Sequence, residues 1–201
     1  MSRLLSTLSA IALIALAAPL AAQDEAQPAQ DGADLPGSAL SLGEEESDDP
    51  QIGDTYVVEE IDDWELQCIR TEQEEDPCTM YQLLTDEEDN PVAEVSIFRL
   101  PEGGQAVGGA TIIVPLETLL TEQLRLSVDG GSGKRYPFSF CNQVGCYSRI
   151  GLTQEDVDAF RRGATATVRI VPFAAPDQTV SLDMSLAGFT AAFEKVSVID
   201  N

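Results

Sequence analysis

Five segments of this chain alternate apolar and polar residues with a period of two, a pattern that dictates strands with one face in a core and one in water. Trp64, Leu66 and Cys68 share a face, with Glu65 and Gln67 opposite. Val95 and Ile97 alternate with Glu94 and Ser96. Leu124, Leu126 and Val128 alternate with Arg125, Ser127 and Asp129. Ala164 to Ile170 and Val180 to Leu186 repeat the pattern. Turn chemistry separates these segments: Asp89-Asn90-Pro91, Glu102-Gly103-Gly104, Asp129-Gly130-Gly131-Ser132-Gly133 and Pro176-Asp177. Many short strands at this spacing predict a sandwich or an open barrel.

Two stretches carry a helical period instead. Thr153 can cap a helix with Asp156 three residues on, an acidic variant of the capping box. Val157 and Phe160 then face inward and Gly163 ends the helix. Phe189, Ala192, Phe193 and Val196 predict a short helix over Ala187 to Val196, packed on the sheet.

The four cysteines fall in two close pairs. Cys68 and Cys78 lie on neighbouring predicted strands joined by an acidic loop, and Cys141 and Cys146 bracket a four-residue hairpin. Of the three possible pairings, local bridges Cys68–Cys78 and Cys141–Cys146 fit best. They should have Cα separations of roughly 4.4–6.8 Å. Structural zinc prefers gaps of two to four residues within a pair, which Cys68 and Cys78 do not have. A redox pair would want Cys-x-x-Cys. Trp64, the single tryptophan, is expected in the core against the nearby disulfide.

The start of the chain reads as an export signal. Arg3 precedes the apolar run Leu4 to Ala18, and small residues at Ala21 and Ala22 lead into Gln23-Asp24-Glu25. The run is short for a membrane span and Pro19 interrupts it, so residues 1–22 are expected to be a cleaved signal peptide. No cysteine follows to carry a lipid anchor, and no later stretch is long enough to span a bilayer, so the cleaved chain is not expected to be an integral membrane protein. A disulfide-permissive compartment, periplasmic or secreted, follows. Residues 23–55 form an acidic leader with no Lys or Arg. Such a segment buries too little apolar surface to offset its ordering entropy and is expected to be disordered. A domain over 56–201 remains.

The net charge is −24, and from Trp64 onward it is still about −11. Nucleic-acid binders carry a basic face, so nucleic acid is not an expected partner. The chain has no histidine, which removes Ser-His-Asp and Cys-His centres and histidine-ligated zinc. Gly130-Gly131-Ser132-Gly133-Lys134-Arg135 lacks the spacing of a phosphate loop, and Arg135 stands where Ser or Thr would meet magnesium. Asp86-Glu87-Glu88-Asp89-Asn90 lacks the ordered ligand pattern of a calcium loop and reads as a solvated turn. No carboxylate pair is singled out for glycosidase chemistry. Lys134 and Lys195 read as exposed, Arg161 and Arg162 as complements to a helix dipole, and Tyr147 as an exposed aromatic contact. No catalytic, cofactor-binding or metal-binding residue is assigned.

At five places the chain resembles a known family. They are Trp64-Glu65-Leu66-Gln67-Cys68; the second cysteine before a strand; and the Gly-rich segment before Leu124-Arg125-Leu126-Ser127-Val128-Asp129-Gly130. The hairpin from Phe140-Cys141 to Cys146 and Ser185-Leu186-Ala187-Gly188-Phe189-Thr190-Ala191-Ala192 complete the set. In that order they resemble the invasion-associated locus B proteins, exported proteins of alphaproteobacteria. The resemblance runs from about Trp64 to Val196 and leaves out the acidic leader. It implies a secreted or periplasmic β-rich domain, implicated in host-cell invasion in some pathogens, and brings no catalytic residues.

The expectation is a mainly all-β fold, an antiparallel β-sandwich or open barrel with two short helices and two local disulfides. Its function would be that of an exported, non-enzymatic interaction protein with a protein or cell-envelope partner. The competing expectation is a histidine-independent hydrolase using carboxylates or serine.

Overall fold

The structure is a computed structural model and describes residues 49–200; the export signal and most of the acidic leader lie outside the described residues. In chain order the strands are β1 (Thr55–Ile61), β2 (Trp64–Ile69), β3 (Cys78–Thr85), β4 (Pro91–Arg99), β5 (Gly108–Val114), β6 (Leu124–Val128), β7 (Lys134–Tyr136), β8 (Phe140–Cys141), β9 (Cys146–Leu152), β10 (Thr165–Ile170) and β11 (Val180–Ser185). Helix α1 (Gln154–Arg162) precedes β10, and α2 (Phe189–Lys195) follows β11.

Two sheets result, one in the order β1-β2-β3-β4-β5-β9-β8 and one in the order β11-β10-β6-β7. Every strand pairing is antiparallel. The strands do not close into a barrel, which is consistent with a sandwich-like fold. β1 to β5 form a meander of antiparallel neighbours in chain order. The Asp89-Asn90 and Gly103 turns sit at these connections, with Asp89 and Gly103 at positive φ of 61° and 102°.

The period-two segments bury the expected faces. Trp64, Leu66, Val95, Ile97, Val168, Ile170, Leu182 and Met184 are all in the core. β3 adds Met80 and Leu84, and β5 adds Ile112 and Val114. The helices close the core with aromatic rings. Phe189 meets Trp64 edge-on at 6.0 Å, meets Phe160 of α1 edge-on at 5.3 Å, and stacks on Phe193 at 5.5 Å. Trp64 thus takes Phe189 as its ring partner. Cys68 lies four residues along the same strand, ~13 Å away at the usual rise. One polar side chain ties the sheets together. Gln82 of β3 is buried, donates to the carbonyls of Asp63 and Ser185, and accepts from the Ser185 amide of β11 at 2.7 Å.

Three local details depart from the sequence reading. Ser127, expected on the solvent face, is buried at 4% exposure. The β6–β7 turn folds back over it: a Cβ on Gly133 would stand 3.1 Å from Ser127 Cβ. The turn itself has Asp129 and Gly130 at φ of 46° and 71°, and Gly131 N donates to Val128 O at 2.8 Å. That is the primed hairpin turn that Asp-Gly favours. Gly163 does end α1, but at an extended φ of −78°. Glycine is needed there for space, since a Cβ would fall 2.5 Å from Val128 Cγ1. Helix α2 starts at Phe189, not Ala187, because Gly188 turns the chain at a left-handed φ of 79°.

Candidate interaction surface

Both disulfides lock residues that stand directly opposite each other. Cys68 faces Cys78 across β2 and β3, and Cys141 faces Cys146 across β8 and β9. The Cα atoms are 4.0 Å apart in each, closer than expected, because both bridges join in-register neighbours of an antiparallel pair. No cysteine is left as a free thiol.

The loop inside the first bridge is organised by Asp76. Its carboxylate accepts from the Tyr56 hydroxyl at 2.6 Å, the Thr71 amide at 2.8 Å and the Arg70 guanidinium at 2.9 Å. The Tyr56 hydroxyl and then the Thr71 amide hold the Asp76 carboxyl below its ordinary value, against partial desolvation. The same hydrogen bond raises Tyr56, with desolvation adding to it. The Arg70 guanidinium also lies 5.0 Å from the centre of the Tyr56 ring. This is a structural clasp between β1 and the β2–β3 loop.

Several other chemistry-bearing residues are also occupied structurally. Lys134 donates to Asp156 at 2.6 Å, and that hydrogen bond raises its ammonium above the ordinary value. Burial pushes Asp156 up, but hydrogen bonds from Lys134 and Thr153 outweigh it and hold the carboxyl low. Thr153 and Asp156 complete a full capping box on α1. Lys195 pairs with Glu59. Arg161 pairs with Asp158 at 3.7 Å and covers the Phe193 ring at 5.8 Å. In the Asp86–Asn90 turn the Asp86 carboxylate accepts from the amides of Glu88 and Asn90 at 2.9 Å each, which closes the turn. Among the described residues no group of three or more metal-ligating side chains converges. No Asp or Glu there is fully buried. Buried Ser148 donates to Pro137 O at 3.1 Å, and Arg169 reaches buried Ser127 at 3.5 Å. Among the described residues neither serine is hydrogen-bonded to a carboxylate or a lysine, although Ser127 lines a hollow that also holds Lys134 and Asp156, which are paired with each other.

What the fold does present is the outer face of the seven-stranded sheet. One cross-strand row runs Leu83, Glu94, Ile113, Tyr147, Phe140 over β3, β4, β5, β9 and β8. Five strands at the usual spacing make this row ~19 Å long. Phe140 stacks on Tyr147 with ring centres 4.6 Å apart. At one end Leu83, Val92, Leu116 and Val144 line an open groove of about 330 Å³, with Glu94 and Glu117 on its rim. Leu83 is 47% exposed and Val144, at the tip of the disulfide-closed hairpin, 68%. Sequence reasoning had singled out Tyr147 alone. The rest was hidden because outward apolar residues on β3 and β5 break the period-two signal that marks a strand. The register shows that they share a row.

Two antiparallel sheets and two in-register disulfides define a disulfide-bonded, sandwich-like β domain. Residues 64–197 match the family model described as Invasion associated locus B (IalB) protein, and the chain belongs to that family. The Invasion protein B homologs of Brucella abortus strain 2308 and of biovar 1 strain 9-941 are each 25% identical over 147 residues, covering 73% of this chain and 83% of theirs. The crystal structure of invasion associated protein b from Bartonella henselae superposes with a TM-score of 0.57 at 24% identity, over 67% of this chain and 90% of that one. That likeness bears on the fold. β1 precedes the residues that the family model matches.

Proposed function

We propose that this protein is an exported, non-enzymatic interaction module that engages a protein or cell-envelope partner through the outer face of its seven-stranded sheet. The carrying observation is the Leu83–Ile113–Tyr147–Phe140 row with the Val144 tip beside it. Exposed and half-exposed apolar residues gathered on one face, with Glu94 between them, are the kind of patch that marks a binding site. Two disulfides fit a periplasmic or secreted location. No helix among the described residues is long and apolar enough to cross a membrane. Residues 1–22 act as the signal peptide and 23–55 as an acidic leader. The names of the Brucella and Bartonella relatives support a role in invasion where a host cell is the partner.

The test places a photo-crosslinking residue at Leu83, at Val144 and at Asp177, an exposed site between β10 and β11. Irradiation in the producing cell should give one adduct from Leu83 and Val144 and none from Asp177. Equal labelling at all three would count against the surface. A parallel screen of peptidase, glycosidase and esterase substrates should be blank. Reproducible turnover lost on changing a single Asp, Glu or Ser would replace this reading with the hydrolase.

A further inference from the structure

Arg149 stands on the outer face of β9, exposed, and among the described residues it has no ion pair and no side-chain hydrogen bond. The chain has 35 acidic and 11 basic residues, so a counter-ion is easily supplied. Arg70, Arg125, Lys134, Arg161 and Lys195 each sit 2.5–3.7 Å from a carboxylate. Arg135 and Arg162 are also unpaired, but one lies on the three-residue strand β7 and the other in the last turn of α1, where the helix dipole favours it. Arg149 instead lines a hollow of about 460 Å³ near the middle of the sheet.

The neighbours of Arg149 are fixed by register. Thr111 is opposite it on β5, and Ser96 is opposite Thr111 on β4. Neither hydroxyl has a hydrogen-bond partner among the described residues. The adjacent row is Phe98, Gly109, Gly151. A Cβ on Gly109 would meet Phe98 Cζ at 2.4 Å, so the ring lies across the glycine. Gly151 carries no side chain, and a Cβ there would stand 3.3 Å from Ala106 Cβ. β5 is paired on both sides, so its amides and carbonyls are consumed by the ladder. An extended peptide, which binds a sheet through main-chain bonds at an edge, finds no such groups here. The hollow offers one guanidinium, the Thr111 hydroxyl and an aromatic face, with the Ser96 hydroxyl one strand further along the row.

We propose that this hollow binds an acidic saccharide. A sugar carboxylate sits on the Arg149 guanidinium, ring hydroxyls bond Thr111 and Ser96, and the apolar face of the ring lies on Phe98. The site stands on Arg149 and its neighbours and is independent of the apolar row. The test titrates the isotopically labelled protein with oligogalacturonate, with an uncharged cello-oligosaccharide of equal length, and with a short peptide ending in Phe. Oligogalacturonate should shift the amides of Gly109, Thr111 and Gly151, while the other two leave them in place. Arg149→Gln should weaken binding about tenfold or more, the loss of a charge-assisted hydrogen bond. Thr111→Val should weaken it less, and Leu83→Ser not at all. Arg149 and Thr111 are surface positions, so both variants should keep the dispersed spectrum of the folded protein. No response to oligogalacturonate, an undiminished response in Arg149→Gln, or equal binding of the neutral sugar or the peptide would overturn the proposal.

Discussion

Gln82 and Ser185 form a two-way amide lock between the two sheets: the Ser185 amide donates to Gln82 Oε1 at 2.7 Å, and Gln82 Nε2 donates back to the Ser185 carbonyl at 3.3 Å. The same Nε2 reaches the Asp63 carbonyl at 2.9 Å. A buried backbone amide left without a partner costs about 1–3 kcal/mol. Gln82→Leu keeps the bulk but strands the amide and both carbonyls, so urea unfolding should show a loss of about 2–3 kcal/mol. A Gln82→Leu protein as stable as the parent would show that water replaces the lock.

The Asp76 clasp should fail at both ends of the pH scale. The carboxyl is lowered on folding, so its contribution is complete above its unfolded value and is lost as pH falls through the folded one. Tyr56 is raised, so its contribution is complete below its unfolded value and is lost as pH rises through the folded one. Hydrogen exchange of the Thr71 amide, corrected for intrinsic rate, should be slow near neutrality and accelerate in acid below the ordinary carboxylate range. Asp76→Asn should remove the acid step while leaving the disulfide intact. An acid step that survives in Asp76→Asn would assign the titration elsewhere.

Gly188 tests a different kind of constraint. Its φ is 79°, and a Cβ there would come 2.4 Å from the Ile61 carbonyl oxygen. Gly188→Ala therefore meets both strain and a backbone clash, and should cost about 2 kcal/mol or more. Gly131, which keeps an ordinary φ and would place its Cβ 3.1 Å from Val128 O, is the milder comparison. Thermal unfolding of the two alanine variants should rank Gly188 well below Gly131.

These positions show what could be read in advance. Strands with one wet face announced themselves: Trp64 to Cys68 and Val180 to Leu186 follow the alternation in the structure. The capping box at Thr153 and the Asp129-Gly130 turn were legible because cap and turn chemistry are local. β1 was not, since five of its seven residues are exposed and apolar Val57 and Val58 adjoin at a register shift. The Gln82 lock joins residues 103 apart in sequence, and nothing near Gln82 marks it. The same limit hid the candidate surfaces. Leu83, Ile113, Phe140 and Arg149 come onto one sheet face only through four strand registers, and those are set by long-range packing, not by local sequence.

The last prediction separates surface from core on a single strand. Leu83 and Leu84 are adjacent on β3, so they point to opposite faces of the sheet. Leu84 is 1% exposed and Leu83 47%. Leu84→Ala opens a cavity between the sheets and should cost about 2–5 kcal/mol. Leu83→Ser changes only the outer face and should stay within about 0.5 kcal/mol of the parent. Val144→Ser belongs with it, because the Asn142 side chain that shapes the hairpin bonds the Val144 backbone amide at 2.8 Å and not the side chain. If the outer face is the docking surface, Leu83→Ser with Val144→Ser should abolish the partner adduct at unchanged stability. Leu84→Ala should keep the adduct for as long as it stays folded. Denaturant midpoints and crosslink yields measured on the same three proteins give both quantities. A double surface variant that crosslinks as well as the parent would remove the apolar row from the binding site.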